Sequence, residues 1–145
     1  MGLFRKTIIQ VDQETGEVEQ GITVLIPKRQ KLQSEFMLAS TDGFLRLADE
    51  PGITGQDFKV LMIYLASLDF ENYISISQRA IADRLKMKEQ NVYRSTQKLV
   101  EKGILVKGSK SGKHNTYRLN AFFGWKGRIS KEYRDAYEEH SKLIK

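Results

Sequence analysis

The chain has 145 residues, 40% of them hydrophobic and 29% charged, with a formal net charge of +6 at neutral pH. That length suits one compact domain with its own core plus a terminal element, and the composition excludes general disorder. No apolar run approaches the roughly 18 residues of a membrane span, and the opening MGLFRKTIIQVDQETGE lacks an apolar signal core with a cleavage site, so a soluble cytoplasmic protein with no membrane partner is expected.

Lys6 stands where N-myristoylation wants Ser or Thr. The absence of cysteine removes disulfides and thiolate metal sites, and the two histidines, His114 and His140, are far apart in sequence. No metal and no cofactor is expected. The charge is placed unevenly: twelve Lys or Arg against two Glu lie between Arg84 and Arg128, a net of +10 that leaves −4 for the rest. A basic segment on a mildly acidic protein favours a polyanionic partner.

In chain order, Thr7 to Val11 and Gly21 to Ile26 are β-branched and alternating, and the acidic DQETGE between them predicts a hairpin. Lys28 to Leu47 is ambiguous, with QKLQSEFMLAS fitting either a short strand or a helical turn. ADEPGITG reads as a loop turning at Pro51-Gly52. Thr54 is an N-cap for a helix whose stripe is Phe58, Leu61, Met62, Leu65 and Leu68. After a break at FENY comes a short β segment, ISI, and then Ser77 as N-cap of a second helix with Ile81 and Leu85 facing inward.

KMK turns the chain into a third helix, starting at Lys88 or Glu89, running to Lys102 and stopping at Gly103, a good residue just past a helix end. Ile104-Leu105-Val106 and Thr116 to Leu119 are strands on either side of a polar loop, KGSKSGKHN. AFFGWKG is a transition. Ile129, Tyr133, Ala136, Tyr137, His140 and Ile144 then fall near helical spacing. The order predicts an α+β winged helix-turn-helix with an N-terminal β-hairpin and a C-terminal amphipathic helix. The expected division is residues 1–50 as a β-rich extension, 51–127 as a winged-helix DNA-binding domain and 128–145 as a terminal helix.

A helix that reads a DNA groove needs long polar side chains on one face while the other holds the core. In the third helix Val92, Leu99 and Val100 can pack inward while Gln90, Asn91, Arg94, Ser95 and Lys98 point outward, with Lys88 at its start. Asn and Gln match the edge of adenine and Arg that of guanine, each good two-pronged contact discriminating by about 1–3 kcal/mol. Tyr93 either packs on the second helix or bonds a phosphate. Lys107, Lys110, Lys113 and His114 on the hairpin, with Arg118 at its base, suit phosphate contact, His114 fitting a plain surface role as well. Ser77 and Gln78 sit at a helix N-terminus, a natural phosphate seat.

Enzyme motifs fail. GSKSGKH has three residues between its glycines where a phosphate-binding loop needs four, and His114 follows the lysine where that loop has Ser or Thr. No paired histidines could hold a metal to activate one of the six tyrosines. A non-enzymatic protein is expected.

ISISQRAIADRLKMKEQNVYRSTQKLVEKGILVKG, followed by NTYRLNAFFGWKG, resembles the winged-helix region of the Firmicute-type plasmid replication proteins called RepL, in which LSQ..IA..L.....NV.RA...L...GII leads to YR.NP....WKG. The resemblance runs from about Thr54 to Gly127, and the closing YRLN with GWKG is its more specific part. The matching positions are Ser77, Gln78, Ile81, Ala82, Leu85, Asn91, Val92, Arg94, Leu99, Gly103, Tyr117, Arg118, Asn120, Trp125, Lys126 and Gly127; Ala121 stands where the family has proline. It implies initiation of plasmid or phage replication at an origin with host replication proteins as partners, and DNA contact at Ser77, Gln78, Asn91, Arg94 and Arg118. A transcriptional repressor and a protein-interaction module are the alternatives. The Tyr133, Tyr137 and Ile144 stripe fits either a homodimer seam or packing on its own domain.

Overall fold

The computed structural model describes residues 3–11, 14–16, 18–27, 35–112 and 114–144, the segments 3–11 and 18–27 by backbone and pairing alone. Those residues form an α+β protein with five α-helices and three two-stranded antiparallel sheets. No helix among them is long and apolar enough to cross a membrane. The chain divides into a unit of residues 1–35 and one of residues 36–145.

In the first unit β1 (Leu3–Val11) pairs with β2 (Val18–Pro27), from Leu3 opposite Pro27 to Val11 opposite Val18, with an irregularity at Gln10 and Val11. The hairpin expected around DQETGE is present, and its strands are longer than the alternation alone suggested.

The second unit starts at Phe36, so residues 36–50, placed by the sequence in the N-terminal extension, fall within it. β3 (Leu38–Ala39) pairs with β6 (Gly124–Trp125), and α1 (Thr41–Asp49) follows at once. Ser40 caps that helix, its Oγ accepting from the Gly43 N–H at 3.1 Å while its own N–H donates to the Phe123 carbonyl at 3.0 Å. A Cβ at Gly43 would come within 2.8 Å of the Phe123 Cα, so a bare backbone at that position is what lets α1 lie on the 121–123 turn.

α2 (Gly55–Ala66) opens with a reciprocal capping box: Thr54 Oγ1 accepts from the Asp57 N–H, and Asp57 Oδ2 accepts from the Thr54 N–H. Val60, Leu61 and Tyr64 form its buried stripe, whereas Met62 is 49% exposed, so the helix is rotated from the stripe expected of it. Leu68 bridges Ile74 across a 3₁₀ turn at Phe70–Asn72, and Tyr73 bridges Arg118; the predicted ISI strand is thus reduced to isolated bridges.

α3 (Gln78–Leu85) is capped by Ser77, whose Oγ accepts from the Ala80 N–H, and buries Ile81 and Ala82. Lys86 takes a left-handed conformation, φ 53°, and Lys86-Met87-Lys88 leads into α4 (Glu89–Glu101). Gly103, φ 74°, ends α4 as expected, and the Leu143 carbonyl packs against it so closely that any side chain there would collide.

β4 (Leu105–Ser111) and β5 (His114–Leu119) pair antiparallel, with an irregularity between Lys107 and Lys110. Most of the expected polar loop is therefore strand. β4 ends at Ser111 and is followed by Gly112 at φ 63°, and backbone pairing needs no apolar side chains to extend so far. α5 (Lys131–Ser141) buries Ala136 and His140. The core gathers α2, α3, α4 and the hairpin base around Leu61, Ile81, Val92, Leu99, Leu105 and Leu119, each at most 1% exposed. Beside it lies a cavity of about 150 Å³ whose walls, including Met37, Phe44, Leu47, Leu65 and Phe123, are apolar.

Candidate nucleic-acid interface

The spacing of Val92, Ser95, Thr96 and Leu99 puts all four on one side of α4, each no more than 3% exposed. Two of them are hydroxylic because this face meets polar groups on α2. Thr96 Oγ1 lies 2.8 Å from the Tyr64 phenol oxygen and also donates to the Val92 carbonyl. Ser95 Oγ donates to Asp57 Oδ1 at 2.7 Å, and Lys98 Nζ sits 2.7 Å from Asp57 Oδ2. Burial by itself would push the Asp57 carboxyl up. The hydrogen bonds from Lys98, Ser95 and Thr54 outweigh it and bring the group down to about 2. Burial pushes the Tyr64 phenol up to about 12, against its hydrogen bond with Thr96.

Two sequence expectations are corrected here. Ser95 does not point outward: it lies three residues beyond Val92, on the buried side, where Asp57 satisfies it. Lys98 is committed to the same carboxylate. A third correction concerns Arg118. Its Nε and Nη2 donate to the Glu71 carbonyl at 3.2 and 2.9 Å, and its guanidinium stacks 4.5 Å from the Tyr73 ring centroid. It fastens the 3₁₀ turn to the hairpin.

The opposite face of α4 is open. Gln90 and Arg94 are exposed, as expected, whereas Asn91, expected outward with them, is half-buried; Tyr93, 45% exposed, and the half-buried Gln97 join them. Tyr93 thus does not pack into the core. Gln97 was missed by the sequence reading, although it lies three residues from Arg94 and the i, i+3 rule places the two side by side. Lys88 at the head of α4 and Lys107 and Lys110 on β4 are exposed, as are Arg84 and Lys86 in and after α3. Lys113 lies outside the described residues, and His114 is described by its backbone alone. Ser77 is exposed and Gln78 half-buried at the start of α3.

The closing YRLN and GWKG segment is a set of internal ties. The Asn120 amide, fully buried, donates to the carbonyls of Gly103 and His140 at 2.7 and 2.8 Å, and its oxygen accepts from the Phe122 N–H. Trp125 Nε1 donates to the Arg128 carbonyl, and Lys126 Nζ to that of Leu68. Asn72, a left-handed residue at φ 67°, donates to Leu119 and Gly124 and accepts from the Lys126 N–H. Sequence reading passed over Asn72, since an Asn within the FENY break reads as loop.

The aromatic stripe of α5 is used inside the unit. Tyr133 lies edge-on to Trp125 and Tyr137 stacks on Phe122 while keeping 39% of its surface exposed, and Ile144 packs against the core. No group of His, Asp and Glu among the described residues could hold a metal ion. No family model matches the chain, and no similar protein was found among curated proteins or solved structures.

Proposed function

We propose that the chain is a winged-helix protein that binds duplex DNA, with α4 as the helix that enters the major groove and the β4–β5 hairpin as the wing. The observation that carries this reading is the division of α4. One face is anchored by the buried carboxylate of Asp57, and the other presents Gln90, Asn91, Arg94 and Gln97, next to a basic hairpin. Ser77 and Gln78 at the head of α3 and Lys88, Lys107 and Lys110 supply phosphate contacts.

More particularly, the protein is the replication initiator of a plasmid or phage, which binds the origin and engages host replication proteins. The similarity of residues 54–127 to RepL supports this step. Its test is a DNA circle without a replication origin that carries the coding sequence and its flanking DNA. The circle replicates with the wild-type gene and not with Arg94→Ala. Binding beside a promoter without replication would instead make the protein a repressor, and duplex binding no stronger than charge alone predicts would leave a protein-interaction module.

A further inference from the structure

Between the head of α3, the side of α4 and the inner face of the hairpin lies a group of polar side chains of which only Gln78 is among the expected DNA contacts, and for whose buried phenol neither the fold nor those contacts account. Asn115, Tyr117 and Leu119 alternate along β5 and share the face that Leu119 turns into the core. Tyr117 is 5% exposed, and its phenol oxygen is buried with no hydrogen-bond partner among the described residues; the same holds for Asn115 Oδ1. Gln78 and Asn115 stand beside the phenol without closing a bond in good geometry, and Tyr93, half in solvent, lies close by.

A buried polar group left unpaired destabilises a protein, and one that persists calls for a missing partner. The chemistry of that partner follows from what faces the phenol. Ser77 Oγ takes the Ala80 N–H, and the N–H groups of Gln78 and Arg79 before it have no intrahelical acceptor at the positive end of the eight-residue α3. Lys107, paired across the hairpin with Tyr117, brings a cation to the adjoining strand, and no carboxylate among the described residues acts on the phenol. The surroundings therefore suit an oxyanion.

We propose that the phenol of Tyr117 and the head of α3 at Gln78 together hold one backbone phosphate of bound DNA, reached when the side chains of Gln78 and Tyr93 swing aside. This rests on the duplex-binding reading and adds to it a neutral donor that pays out only in the complex. No group is ionised or transferred; the phenol O–H donates to a phosphate oxygen.

Tyr117→Phe tests it in the full chain, with a random-sequence duplex as probe. If the oxygen is unpaired in the free protein, its removal leaves the melting temperature unchanged or raises it, yet weakens duplex binding about tenfold, as expected for one lost hydrogen bond to a charged group. The salt slope stays as in the wild type, because no cation is removed. A variant that binds as tightly as the wild type overturns the proposal, as does one that loses melting temperature and affinity together, since that marks the phenol as an internal partner. Failure of the wild-type chain to bind any duplex would instead overturn the DNA-binding reading itself.

Discussion

Asp57→Asn removes the charge that ties α2 to α4 while keeping the shape of the side chain. In the folded protein the carboxyl titrates at about 2 rather than the ordinary 3.8, a depression worth roughly 2 kcal/mol at neutral pH. The folded state binds the proton less readily than the unfolded chain, so this stability is fully present above pH 4 and is lost as the pH falls toward 2. By pH 3 about 1 kcal/mol of it has gone. Urea unfolding followed by circular dichroism at pH 7 and pH 3 should therefore show the variant less stable by roughly 2 kcal/mol at neutral pH, with the gap about 1 kcal/mol narrower in acid. A gap that does not change with pH would refute the reasoning, because the stabilisation would not then come from the carboxylate's charge.

Lys110→Ala should weaken binding to all duplexes alike and lower the slope of log affinity against log salt by about 0.9, as measured by fluorescence anisotropy at several salt concentrations. An effect confined to one sequence would contradict a backbone role. His140 accepts from the Ala121 N–H through Nδ1 at 3.1 Å, and burial, helped by the Arg118 charge and opposed by Glu139, holds its imidazole below the ordinary 6.5. Stability from the neutral ring is present above that value and falls away as the pH drops below it. His140→Asn, which keeps an acceptor, should flatten the melting-temperature profile between pH 7 and pH 5, and a profile as steep as the wild type's would show the slope to lie elsewhere.

The helices were legible where caps and apolar spacing coincided: Ser77, Ile81 and the Lys86–Lys88 turn define α3 and the entry to α4, and Gly103 ends it. The inward face of α4 was read only in part. Ser95 and Thr96 are polar by type and buried in fact, because their partners, Asp57 and Tyr64, are more than thirty residues away and no local pattern links them. Asn72 is hidden by the same remoteness, and the ties of Asn120, 17 and 20 residues away, also lie beyond any local pattern. α1 was obscured by Gly43, a poor helix former whose bare backbone is required by contact with Phe123. Of the expected DNA contacts, the exposed polar row from Gln90 to Arg94 follows from the helical period. The diversion of Lys98 and Arg118 to internal partners depends on tertiary structure alone.

The central claim is that the open face of α4 reads a DNA sequence. Duplexes selected from a random pool by the wild-type chain, then titrated against wild type and Arg94→Ala by anisotropy, test it most directly. The expected result is a preferred site whose advantage over scrambled DNA falls by about 1–3 kcal/mol in the variant, while binding to scrambled DNA weakens much less. Unchanged discrimination in Arg94→Ala, or a pool that yields no preferred site, would contradict the account.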